Sequence, residues 1–201
     1  MRKPSREELM RFWRALAGEL GLSGEEVGRL AELTHRLLEE GSLAYEEASS
    51  LAGEDLLLLA HELALVVPSR GPGDRCLEWD ACSLGPGARL RLNPAAEAVL
   101  RACLKGRDTY EALSSLLAEL GLDADRARRL ARVALELARE RVITGSDVTS
   151  ACRSHGLEGF ESQAVAILKA AGAISPLLAT TWPRQDVRYR TCALLALAGR
   201  C

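Results

Sequence analysis

Aromatic residues are scarce in this chain, with two Phe, three Trp and three Tyr among 201 residues, so its core has to be built from Leu, Ala and Val. Lysine is nearly absent, three against 23 arginines, and Asn and Gln together number three. So few thermolabile amides point to a thermophilic source, whereas the arginine bias follows equally from a GC-rich genome. No apolar run approaches a membrane span, the longest being Cys192 to Ala198, and Met1-Arg2-Lys3-Pro4-Ser5 leads into charge instead of a signal-peptide core. The expectation is a soluble, cytoplasmic chain with no membrane partner. Catalytic signatures are missing as well. Gly71-Pro72-Gly73 and Gly85-Pro86-Gly87 lack the Lys-Ser/Thr or strand-to-helix context of a phosphate loop, and His35, His61 and His155 are scattered with no nucleophile and orienter around them. The six cysteines contain no CxxC pair, so neither a metal nor a cofactor is expected, and the chain does not read as an enzyme. Cys76 and Cys82 can face each other across a hairpin and form a disulfide in a thermophile; the other four read mostly as small buried hydrophobes.

What the chain does have is an internal echo. Glu19-Leu20-Gly21-Leu22 recurs as Glu119-Leu120-Gly121-Leu122, Arg29-Leu30-Ala31 recurs as Arg129-Leu130-Ala131, and Leu37, Glu40 and Ser50 match Leu137, Glu140 and Ser150. These are 10 identities in 32 ungapped positions, where this composition would give roughly two or three by chance. After a gap the echo returns: Leu63 to Pro68 is matched by Ala171 to Pro176, and Arg89-Leu90-Arg91 by Arg188-Tyr189-Arg190. A period near 100 residues is the size of a domain, so two related domains are expected, 1–104 and 105–201, with Lys105-Gly106-Arg107-Asp108 as the polar break. Their charges differ. Residues 1–101 hold 12 Lys/Arg against 17 Asp/Glu, a net of −5, and residues 102–201 hold 14 against 11, a net of +3.

Punctuation and periodicity give the order of elements. Ser5 with Glu8 caps a first helix whose apolar face is Leu9, Phe12, Trp13, Leu16 and Leu20 and which Gly21 ends; Ser23 with Glu26 caps a second, ended by Gly41. Ser42 or Ala44 starts a short helix from Tyr45 to Leu51, and a turn at Gly53 leads into Leu56 to Leu63. The period then changes. Ala64 to Val67, Cys76 to Trp79 and Ala88 to Leu92 read as strands around Gly/Pro turns, and Asn93-Pro94 opens a helix reaching Leu104. In the second half Asp108 caps Tyr110 to Leu120, Asp123 caps Ala124 to Val142, and Ser146-Asp147 starts a helix through Cys152. Glu161 to Ala171 follows the turn, Ile174 to Thr181 and Asp186 to Thr191 flank Trp182-Pro183-Arg184-Gln185, and Cys192 to Ala198 closes the chain.

A helix-turn-helix followed at once by a β-hairpin, from Gly24 to Leu92 and again in the second half, resembles the winged-helix superfamily. The fold class this implies is mainly α with small β-hairpins, two tandem winged-helix-like domains related by internal duplication, each preceded by a helical hairpin. Winged helices serve both DNA readers and pure protein-interaction scaffolds.

The second half carries the residues suited to nucleic acid. Arg184, Arg188 and Arg190 lie within the second wing, with Arg188 and Arg190 on one side of a strand and Trp182 and Tyr189 as aromatic surface nearby. Gln163 and Lys169 stand in the recognition-helix position, Gln163 being suited to bidentate base contact. Arg128, Arg129, Arg132 and Arg139 share one helical face, edged by Glu136 and Glu140, so it serves either as a phosphate stripe or as a salt-laced solvated face. The first half offers only Glu54, Asp55 and Glu62 there, which repel a major groove. The expected function is a non-enzymatic nucleic-acid-associated protein, transcriptional or chromosomal. Its second domain would bind duplex DNA backbone through Arg184, Arg188 and Arg190 with Arg128 and Arg132, and its first would hold a protein partner or a homodimer. The alternative is a tandem winged-helix scaffold without DNA contact, of the kind found in condensin-accessory and membrane-trafficking families.

Overall fold

Two capping boxes organise the first sixty residues of the computed structural model, which describes residues 4–69, 84–177 and 187–197. Ser5 Oγ accepts from the Glu8 amide (3.2 Å) while the Ser5 amide donates to Glu8 Oε2 (2.7 Å), starting α1 (Arg6–Leu20). Ser23 and Glu26 repeat the arrangement at α2 (Gly24–Glu40). Gly21 ends α1 at φ 68°, a left-handed position that costs glycine nothing. Leu9, Trp13 and Leu16 then face Val27, Leu30, Ala31, Leu33 and Leu37 across a helical hairpin. Trp13 is 1% exposed, and its indole N–H donates to Thr34 Oγ1 at 3.0 Å, which in turn donates to the Leu30 carbonyl at 2.7 Å.

The chain continues through β1 (Leu43–Ala44), α3 (Tyr45–Ala52), α4 (Glu54–Glu62), β2 (Val66–Ser69), β3 (Arg89–Leu92) and α5 (Pro94–Leu104). After the break at 105–108 come α6 (Thr109–Glu119), α7 (Ala124–Leu137), β4 (Val142–Thr144), α8 (Gly145–Ser154), α9 (Glu161–Ala170), β5 (Ile174–Pro176), β6 (Arg188–Thr191) and α10 (Ala193–Leu197). The described residues are thus mainly helical with two small antiparallel three-stranded sheets, ordered β1-β3-β2 and β4-β6-β5. Among the described residues the order helix, helix, strand, helix, helix, strand, strand, helix occurs twice. Register pairs Leu43 with Leu90 and Val67 with Arg91 in one sheet, and Ile143 with Tyr189 and Ser175 with Arg190 in the other.

Several expectations need correction. The helix from Asp123 stops at Leu137, not Val142; Ala138 caps it, and the β-branched pair Val142-Ile143 is drawn into pairing with Arg190 and Tyr189. Strands β1 and β4 were not expected, being too short to show a period of two. Of the two starts expected for the helix after Gly41 the structure has Ala44, an N-cap without a side-chain bond, while Ser42 accepts from Arg89 (2.8 and 3.1 Å). Pro68 does not end its strand but lies within β2, and Pro176 is the last residue of β5, both on edge strands where a missing N–H is tolerated. The expected strand Cys76 to Trp79, the Cys76–Cys82 pairing, Trp182 and Arg184 lie outside the described residues.

One continuous cluster of buried side chains runs through both halves, from Leu9 to Leu197. Backbone and side-chain bonds cross it. The Ala193 amide donates to the Leu63 carbonyl (3.1 Å), Asn93 Nδ2 to the Gly172 carbonyl (2.9 Å), and Cys192 Sγ to the Ala64 carbonyl (3.6 Å). Cys152 and Cys192 are buried free thiols, pushed up to about 11 by burial and so unsuited to nucleophilic work. Cys103 is disulfide-bonded, against the expectation of a plain buried thiol.

Candidate nucleic-acid interface

The α8–α9 turn is held from below by an arginine of α7. Arg129 Nε pairs with Asp125 (2.8 Å) and its Nη1 donates to the Gly156 carbonyl (3.1 Å). Gly156 has φ 67°, and a Cβ there would come within 2.7 Å of that nitrogen. In the first half, Arg29 Nη2 pairs with Glu25 (2.5 Å) and Nη1 donates to the Ala52 carbonyl (3.4 Å), over Gly53 at φ 82°. The repeated Arg-Leu-Ala therefore records a strut beneath each helical corner, and Arg129 leaves the proposed solvent stripe. Arg139 leaves it too, because α7 has ended by then. Glu136, expected to pair within its own helix, instead meets His155 Nε2 at 2.8 Å, where His155 caps α8.

At the start of α8, Thr144 Oγ1 accepts from the Asp147 amide (3.3 Å) and Asp147 Oδ2 accepts from the Thr144 amide (2.7 Å) and hydroxyl (2.8 Å). The Thr144 backbone and side-chain bonds hold the Asp147 carboxyl below its ordinary range. A depressed carboxyl adds stability that is present above its unfolded pKa, about 3.9, and lost as pH falls through the lower folded value. Asp147→Asn is therefore expected to flatten the acid limb of a stability-against-pH curve below about pH 4, measured by urea unfolding across that range.

Helix α9 presents Ser162, Gln163 and Ala166 to solvent, while Ala164 and Leu168 face the core. Lys169, in its last turn, is half-buried and lies close enough to Tyr189 for its charge to oppose the rise that burial imposes on the phenol. Tyr189 itself is 8% exposed, so it belongs to the core and does not form the aromatic surface expected of it. On either side, Arg188 is exposed and Arg190 half-buried, both on the outer face of β6 opposite Thr144 and Val142. Val142 and Val187 are exposed beside them.

Arg128 and Arg132 are placed elsewhere. Arg132 lies over the Tyr110 ring of α6 (5.6 Å), with Arg128 one turn before it on the same side of α7. The side of α7 toward α9 instead carries Arg126, whose guanidinium sits 5.3 Å from the Phe160 ring at the foot of α9. No signal in the sequence singled out Arg126, whose counterpart 100 residues earlier is Glu26. The structure thus sets Arg188 and Arg190 on β6 near the end of α9 that carries Lys169, Gln163 and Arg126 toward the other end of α9, and Arg128 and Arg132 apart on the α6 side.

The same position in the first half has the opposite character. Helix α4 exposes Glu54, Asp55, Glu62 and Leu58, the last 44% exposed, and Tyr45 donates to Glu54 (3.1 Å). Arg89 is engaged by Ser42. Among the described residues no group of three or more His, Cys, Asp or Glu is placed to hold a metal ion, and no helix is long and apolar enough to cross a membrane. The chain matches no protein-family model, no curated protein and no solved structure.

Proposed function

We propose that the chain is a tandem of two winged-helix units, 1–104 and 105–201, descended from an internal duplication, and that the second unit binds duplex DNA backbone in a transcriptional or chromosomal role without catalysis. The observation that carries this reading is the contrast at one repeated position: α9 exposes Ser162 and Gln163 in its first turn and carries Lys169 near Tyr189 of β6 in its last, where α4 exposes Glu54, Asp55 and Glu62. Arg188 and Arg190 are suited to phosphate oxygens and Gln163 to a base edge, with Arg126 at the foot of the helix. Arg184 joins them by sequence position. The acidic first unit, with Leu58 exposed among its carboxylates, is suited to a protein partner or a second copy. Fluorescence anisotropy of a labelled duplex at two salt concentrations tests the reading. Binding that weakens steeply with salt is expected, and no binding at low salt would leave the scaffold alternative in its place.

A further inference from the structure

The contacts between the halves are reciprocal but not identical. Asn93, the N-cap of α5, follows β3, and Cys192 stands just before α10 after β6; the Asn93 amide donates to the Leu65 carbonyl and the Cys192 amide to the Ala173 carbonyl. Each then reaches across to the other half, Asn93 to the Gly172 carbonyl and Cys192 to the Ala64 carbonyl. Gly172 and Ala64 are themselves counterparts, each following the second helix of its helix-turn-helix and each left-handed, at φ 74° and φ 53°. Residue i of one half thus touches residue j of the other and the reverse, the pattern of an isologous dimer interface.

The two junctions are not interchangeable. A Cβ on Gly172 would lie 2.3 Å from Asn93 Oδ1 and 2.9 Å from its Cγ. Asn93 cannot swing away, because it is fully buried, its Oδ1 caps α5 by accepting from the Ala95 amide (2.9 Å), and its Nδ2 is held by Gly172. Ala64 is the only described non-glycine residue at positive φ, and its carbonyl accepts from the smaller Cys192 side chain. Pairing two first halves would set Asn93 against Ala64, with a methyl where the amide sits. Pairing two second halves would set Cys192 against Gly172, with a void.

We propose that the halves form a covalently joined pseudo-dimer whose junction is directional: Asn93 with Gly172 and Cys192 with Ala64 are matched pairs that admit the unlike half and reject the like one. This uses the tandem reading of the chain but is independent of nucleic-acid binding, since it is read in stability and not in anisotropy.

Substitutions in the full-length protein reproduce each mismatched pair within one chain. Gly172→Ala creates the Asn–Ala contact and is expected to lower the urea midpoint strongly, and Asn93→Cys creates the Cys–Gly contact with a smaller loss. The double variant N93C/G172A restores the pair found at the other junction, so it should recover much of the G172A loss. The reciprocal set is Cys192→Asn, expected to be destabilising, relieved by Ala64→Gly in the double variant. Should G172A or C192N fail to fold, folding of the corresponding double variant is itself the readout. Losses that simply add in both sets, or double variants that remain unfolded, would overturn the proposal and reduce the glycine at 172 to a backbone requirement.

Discussion

Replacing Trp13 by alanine is expected to lower the unfolding free energy by about 3–5 kcal/mol, the largest stability change of any single core truncation among the described residues. Trp13 is the bulkiest buried side chain among the described residues, in a core built mostly of Leu, Ala and Val, and it fills the seam between α1 and α2 with Phe12 edge-on to it at 4.9 Å. A domain of this size has a total stability of about 5–15 kcal/mol, so the variant would sit close to unfolding at moderate temperature. Thr34→Val separates the polar part of this effect. It keeps the volume but leaves the buried indole N–H without its acceptor, and about 1–3 kcal/mol is expected for an unsatisfied buried donor. Urea midpoints of the two variants, compared at equal slope, check both values.

The second large effect concerns binding. The Arg188→Ala/Arg190→Ala double variant is expected to lose about 10–100-fold in duplex affinity at low salt. The slope of log affinity against log salt should flatten by about two units, near 0.9 for each phosphate contact removed. Arg89→Ala/Arg91→Ala, the same pair of positions in the first half, should leave binding unchanged, because α4 in that half exposes Glu54, Asp55 and Glu62. Gln163→Ala should leave the salt slope as it is and reduce only preference among sequences. Equal losses from both arginine pairs would mean that the protein binds through general charge and that the second unit has no special part in it.

Much of the scaffold was legible because the signals were local. Ser5 with Glu8, Ser23 with Glu26, Asn93-Pro94 and the break at 105–108 each act within four residues, and the structure places helix boundaries there. The misses were all matters of partners far along the chain. Strand β1 exists only because Leu43 meets Leu90, and the end of α7 is fixed by β6, neither of which a helical period can register. Tyr189 read as a surface ring because it stands between two arginines, yet strand alternation turns it inward against Ile143. The candidate site suffered in the same way. A helical wheel gathered Arg128, Arg129 and Arg132 correctly onto adjoining positions, but only packing shows Arg129 holding the turn at Gly156 and Arg132 lying on Tyr110.

Proline in β2 and β5 bears on how the protein behaves when crowded. Each sheet offers one edge interrupted by Pro68 or Pro176 and another edge of two or three residues. Among the described residues neither edge presents a long run of unpaired amides on which a foreign strand could grow, which disfavours edge-to-edge aggregation there. Association with anything else then has to proceed through side chains, where the charge of α4 and of β6 can choose the partner.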